Sequence, residues 1–280
     1  MSILHLLLLL LSLLCTTLAV SITQHNGIKQ IYPTKQNGRQ WTFTQPKDPY
    51  FDPRQTIVKQ SDGSYQNTEP QTRLEIHTKA NDVMWRDVEL TGYFKVNKKT
   101  GDKMPQLVLY ARGGRHTTKG GGCDGTSIKG YYNFPGDLFF KKEVWHTGGY
   151  TARLSNKHYG QIINKWVGLK MVMYNTAPQN VKMELYVDRN ATNNWVKEIE
   201  FEDHPGQVKG KEHKAECKNP ITKRERAQDA TIYYGGPIAA FRADDIIFQF
   251  KDLNVREICA GTCDQVQQKG CEGFPDSCHK

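Results

Sequence analysis

Long amphipathic stretches are missing from this chain. No window of twelve or more residues holds a 3.6-residue apolar period, so any helix is short and peripheral. The single long apolar run, Leu6 to Leu14, is nine residues long. A bilayer needs ~20, so no integral membrane segment is expected. No G-x-S-x-G is present, which excludes the strand–turn–helix nucleophile elbow. The glycine run Gly120-Gly121-Gly122 is followed by no G-K-[ST], which excludes a phosphate loop. Glycosylation sequons are scarce too: Asn190-Ala191-Thr192 is the only one, and it marks Asn190 as a surface position if the host glycosylates.

What the chain does have begins with its leader. The Leu6–Leu14 run follows a nearly uncharged start and precedes Thr17-Leu18-Ala19, a small-x-small cleavage pattern. Residues 1–19 therefore read as a secretory signal, and the protein as secreted and extracellular. Of seven cysteines, removal of the leader takes Cys15 and leaves Cys123, Cys217, Cys259, Cys263, Cys271 and Cys278. An even number in an oxidising compartment implies disulfides. The last four fall within residues 259–280 and are expected to staple a cysteine-rich tail, with Cys123 and Cys217 pairing across the main domain. The irregular C-x3-C-x7-C-x6-C spacing argues against zinc. Thiolate catalysis is not expected from oxidised cysteines.

Residues 20–258 suffice for one domain with a large core. Their pattern is β. Arg73-Leu74-Glu75-Ile76-His77 alternates, placing Arg73, Glu75 and His77 on one face. Val88–Val96, Leu107–Tyr110, the pair Trp166–Tyr174 and Val181–Val187, then Ile246–Phe250 and Leu253–Ile258 supply further strands. Gln45–Pro70 and His204–Asp229 read as long loops. Strands separated by Gly, Pro, Asn and Asp clusters point to an all-β sandwich or barrel. Net charge is +9, which suits acidic partners. Part of it sits in 209–226, with seven Lys or Arg against three Glu, a run that can equally be a solvated loop.

The run Trp166 to Asp188, opening Trp-x-x-x-Lys and closing Leu185-Tyr186-Val187-Asp188, resembles the hairpin of concanavalin A-like jelly rolls. The final Phe250 to Ile258 is similar to their closing strand. The resemblance implies a jelly-roll β-sandwich with long loops. It leaves function open, because lectins, glucanases and lyases share that fold. The E-x-D-x-x-E carboxylate strand of jelly-roll glucanases is absent. A second resemblance is to jelly-roll alginate and glucuronan lyases. Their R-x-E-L-R strand is matched by Arg73 and Glu75, with His77 at the last position, and their K-x-x-x-Y-N strand by Lys170, Tyr174 and Asn175. No counterpart of their Q-I-H strand is evident, and their K-x-x-x-Y-N strand lies nearer the C-terminus.

The segment Tyr110–Arg153 concentrates Arg112, Arg115, His116, His146, Tyr150 and Arg153 around the glycine turn. Such groups hold an anionic or hydroxyl-rich ligand, or move a proton on it. Trp145-His146-Thr147-Gly148-Gly149-Tyr150 adds an aromatic face for sugar C–H surfaces and glycines that admit close approach. For β-elimination on a uronate chain, the lyase resemblance assigns Arg73, then Arg112, to neutralising the carboxylate. His146 or His116 would be the base, Tyr150 or Tyr174 the acid, and Glu75 would hold Arg73. Arg115, Trp145, Arg153, Lys170 and Asn175 would bind ligand. Against this, Arg73 and Glu75 can form a plain surface pair worth ~0–1 kcal/mol. Lys170 and Tyr174 can be a snorkelling lysine and a half-buried aromatic. His116, His146 and His158 show no metal-ligand spacing. No cofactor is required; calcium at Asp244-Asp245 is the one the jelly-roll resemblance allows.

The expectation is thus a secreted, lectin-like binder of an anionic polysaccharide, with a uronate lyase as the alternative and a protein-binding adhesion module third. No nucleic-acid partner is expected.

Overall fold

The computed structural model describes residues 24–78, 84–101, 103–114, 124–145, 149–211, 217–219 and 222–260. Among these residues there are seventeen strands and no helix. In chain order they are β1 (Gln24–His25), β2 (Ile28–Lys29), β3 (Gln40–Thr42), β4 (Phe51–Pro53), β5 (Ile57–Lys59) and β6 (Tyr65–Asn67). Then come β7 (Thr72–His77), β8 (Val88–Lys99), β9 (Gln106–Gly113), β10 (Ser127–Asn133), β11 (Asp137–Glu143) and β12 (Leu154–His158). The last are β13 (Val167–Ala177), β14 (Asn180–Asp188), β15 (Val196–Asp203), β16 (Ile238–Asp244) and β17 (Ile246–Glu257).

Two antiparallel sheets form the sandwich that the jelly-roll resemblance implied. One is seven-stranded, in the order β12-β11-β10-β9-β16-β7-β4; the other is eight-stranded, β15-β14-β13-β8-β17-β6-β5 with β3 also on β17. Alternation decides what each strand gives to the core. Leu107, Leu109 and Ala111 of β9, Leu74 and Ile76 of β7 and Phe241 of β16 meet Leu90 and Phe94 of β8, Leu169 and Met171 of β13 and Phe248 and Phe250 of β17 in one buried cluster.

Two sequence expectations change, and one stretch left without an assignment gains a structure. Gln45–Pro70 is not one loop: β4 edges the smaller sheet while β5 and β6 edge the larger. Its polar composition is that of short edge strands anchored by buried Phe51 and Asn67. The two closing segments are one strand, β17, whose register with β8 shifts between Lys251 and Asn254, where Asp252 takes φ 53°. The stretch after Cys123 is mostly the β10–β11 hairpin, paired from Ser127↔Glu143 to Tyr132↔Leu138. Asn190 is exposed in the turn after β14. Cys217 and Cys259 are buried; Cys123, Cys263, Cys271 and Cys278 lie outside the described residues.

The outer faces differ. That of the larger sheet is occupied by the chain's own N-terminal segment: Lys170 donates to the Lys29 carbonyl, the Ile31 N–H to Glu89, and the Tyr32 hydroxyl to Glu184. That of the smaller sheet carries the ionisable cluster described next.

Candidate functional site on the smaller sheet

Period-2 alternation puts Arg73, Glu75 and His77 of β7, Tyr110 of β9, Lys129 and Tyr131 of β10, Phe139, Lys141 and Glu143 of β11 and Arg242 of β16 on one face. The registers bring them side by side. Arg242 lies opposite Arg73 and Ala240 opposite both Glu75 and Tyr110. Tyr110 lies opposite Lys129. An aromatic floor of Val108, Tyr110, Tyr131, Phe139, Ile238 and Ala240 is buried among them, with Tyr131 and Phe139 stacked at 4.7 Å and 9°.

At the centre, the Lys129 ammonium pairs with the Glu143 carboxylate, both almost fully buried. It also donates to the Tyr150 hydroxyl at 3.1 Å and sits 4.9 Å above that ring. Tyr150 is delivered by a bridge to Glu143 just after the β11 strand. Burial pushes Lys129 down to about 8; Glu143 opposes this, while Arg242 and Arg73 add to it. Burial, reinforced by Glu143, raises the Tyr150 phenol, and burial raises Tyr110 and Tyr131 as well. Arg242 donates to Asp244 at 2.9 Å. Burial works against its charge, but Asp244 together with the neighbouring Tyr150 and Tyr131 outweighs burial and holds the guanidinium protonated. The rim is more open: Arg73, His77, Lys141 and Tyr150 are half-buried and Arg153 is exposed. Arg153 lies 4.3 Å over Phe139 and pairs with Asp137 at 2.8 Å.

Of the residues singled out in the sequence, the structure brings Arg73, Glu75 and Tyr150 to this face, with Arg153 at its edge. Others go elsewhere. Arg112 follows the parity of Tyr110, yet its φ of 64° turns it into the sandwich. There it is fully buried and bonds Asp87, Asn175 and the carbonyls of Arg86 and Ile232. Asn175 is spent in the same network, also donating to the Tyr233 carbonyl. Lys170 and Tyr174 belong to the larger sheet. Lys170 bonds Glu89 at 2.9 Å beneath the N-terminal segment, and Tyr174 packs edge-on against Tyr32 at 5.4 Å. Trp145 is buried with Val144 and Cys217. Arg115, His116 and His146 lie outside the described residues. His158 pairs with Asp137 at 3.0 Å.

Sequence reasoning missed Lys129, Tyr131, Glu143 and Arg242. Part of the signal was available in Ser127-Ile128-Lys129-Gly130-Tyr131, but Phe139-Phe140-Lys141-Lys142-Glu143 does not alternate in polarity, and only its pairing with β10 assigns its faces.

The acids expected to suit calcium do not fit it. Asp244 accepts from Arg242 and Gln106, and Asp245 from Gln71 and the Met104 N–H. Asp52, Glu75 and His77 instead place one ligand atom each within 4.8 Å of one another. Their nitrogen donor is not a hard-cation ligand, and Arg54 already lies 3.7 Å from Glu75.

No known family pattern matches the chain, and no curated protein does. Among solved structures, it is similar to the exoplasmic/lumenal domain of VIP36 with Ca2+ and Man3GlcNAc bound. The TM-score is 0.47 at 12% identity, over 85% of this chain and 92% of that one. The metal-free carbohydrate recognition domain of Emp46p gives a TM-score of 0.45 at 9% identity, over 78% of this chain and 93% of that one. These are loose likenesses, so the chemistry of the face is argued from its own residues.

Proposed function

We propose that the protein binds an acidic polysaccharide across the outer face of its seven-stranded sheet. The observation that carries this reading is the set of cations, Arg73, Lys129, Lys141, Arg153 and Arg242, around the stacked Tyr131–Phe139 pair. Carboxylates or sulfates would meet guanidinium forks, and sugar C–H surfaces would lie on the half-buried Tyr150 ring. Retention of the mature protein on polyuronate and sulfated columns tests it against a neutral glucan. Retention that weakens with salt and drops in Arg242→Gln is expected. Equal retention on the neutral polymer, or none on any acidic one, would sink the reading.

The Lys129–Tyr150 contact favours a second reading, β-elimination on a uronate polymer. Arg73 and Arg242 would neutralise the carboxylate, acidifying the adjacent C5–H. Lys129 in its amine form would take that proton, as the C4–O4 bond breaks and C4=C5 forms; the Tyr150 hydroxyl would protonate the departing oxygen. Ultraviolet absorbance from unsaturated chain ends reads this directly. A flat trace on every retained uronate polymer leaves binding alone.

A further inference from the structure

A second feature lies away from that face, at the end of β9. A cavity of about 300 Å3 opens there, lined by Arg112, Arg226, Tyr234 and Gly236 together with Lys218 and Asp124. That volume is at the small end of ligand sites. Its walls are backbone in close approach, since a Cβ on Gly236 would come within 2.2 Å of the Gly113 nitrogen.

The two guanidiniums of the lining are in different states. Arg112 has the Asp87 carboxylate at 3.2 Å and three further acceptors. Arg226 is 4% exposed and donates from one terminal nitrogen to the Val144 carbonyl at 2.8 Å. Its Nε has no hydrogen-bond partner, and neither has the hydroxyl of Tyr234. The two side chains touch each other, with the guanidinium carbon 4.9 Å from the ring centre. Among the described residues no carboxylate pairs with Arg226. Burial lowers its affinity for the proton, and only the Tyr234 hydroxyl acts in the other direction.

Buried charges are ordinarily paired, and buried donors ordinarily find acceptors. A guanidinium N–H and a phenolic O–H buried without acceptors in the wall of one cavity ask for the same complement, two acceptor oxygens on one anion. A carboxylate supplies both, with charge-assisted bonds.

We propose that this cavity is a second ligand site and that it takes a small carboxylate. It does not depend on the polysaccharide reading. Ligand-observed NMR titration of the mature protein with acetate, glucuronate and glucose tests it. Saturable binding of a carboxylate is expected, with glucose silent. Glucuronate binding more tightly than acetate would assign an acidic sugar, and the reverse a simple carboxylic acid. Tyr234→Phe, which keeps the ring, is expected to weaken binding about tenfold, the worth of one hydrogen bond to a charge. Arg226→Gln is expected to abolish it, and Arg242→Gln on the sheet face to leave it unchanged. Absence of saturable binding by either acid overturns the proposal. So does binding that survives both Tyr234→Phe and Arg226→Gln, or binding that Arg242→Gln removes.

Discussion

The Lys129–Glu143 pair makes the sharpest test of how the sheet face is held together, through Glu143→Gln. Breaking a buried pair by removing one partner ordinarily costs about 3–5 kcal/mol, because the other charge is left uncompensated. Lys129 would be left among cations from two other strands, Arg242 and Arg73, with Lys141 beside it and the neutral phenols of Tyr110, Tyr131 and Tyr150 around it. The full cost applies only if the ammonium stays charged. With its folded-state pKa already down at about 8, Lys129 can shed its proton instead. At pH 7 that escape lies on the order of one pKa unit, roughly 1–2 kcal/mol, above the ionised pair.

The variant is therefore expected to lose roughly 1–2 kcal/mol at pH 7, less than the full cost of a stranded charge. The loss should grow by about 1.4 kcal/mol per unit as pH falls toward 5, up to the ceiling above, and shrink to little by pH 9. The sign follows from proton counts. Where the folded variant holds a neutral amine and the unfolded chain an ammonium, the unfolded state binds more protons, so stability rises with pH. The wild-type protein shows the same rise only from pH 8 up to the unfolded lysine value of about 10.4. Urea midpoints at pH 6, 7, 8 and 9, with unchanged slope, measure this. A loss of 3–5 kcal/mol that is flat across that range would mean that Lys129 never releases its proton. No loss at any pH would mean that water already compensates the pair, and the picture of a dry, charged floor would fall with it.

Other consequences are as concrete. Burial raises the phenols of Tyr32, Tyr93, Tyr110, Tyr131, Tyr150 and Tyr186; the folded state then keeps protons that the unfolded chain loses near pH 10, so stability should fall as pH rises past that point. Tyrosinate absorbance is expected to appear together with loss of near-ultraviolet circular dichroism, and titration of all these phenols in a still-folded protein would refute it. Glu89→Gln strands the buried cations Lys170 and Arg256, at about 3–5 kcal/mol; because Glu89 also accepts the Ile31 N–H, hydrogen exchange should quicken across 28–32. Gly113→Ala would press a Cβ to 1.9 Å from the Thr126 carbonyl oxygen, so it should cost more than the roughly 1 kcal/mol typical of a point change; a thermal midpoint equal to wild type would contradict the register at that end of β9.

Arg73 and Arg112 show how far a sequence carries and where it stops. Arg73 was picked out as a cation on an alternating strand and Arg112 as one of the groups around the glycine turn; once β9 is seen to run on through Arg112, alternation alone places each on the outer face of the smaller sheet. For Arg73 that inference holds, because β7 runs regularly from Thr72 to His77 and pairs residue for residue with β16. For Arg112 it fails at one dihedral: a left-handed φ at the strand's end rotates the side chain inward, toward a carboxylate on β8's approach and an amide on β13. Such a φ is uncommon outside glycine, and only the tertiary partners that over-determine it reveal it. Lys170 is the same lesson in another form. Its strand and parity were legible, but which of two outer faces stays open depends on where the N-terminal segment lies, a contact between residues 141 positions apart. Lys129 and Glu143 reverse the case, being unremarked in sequence yet central once the β10–β11 hairpin sets them across from Tyr110 and Tyr150. Local patterns therefore settle which residues share a face only where the strand stays regular. The choice of face, and so the chemistry, rests on long-range pairings that alternation cannot encode.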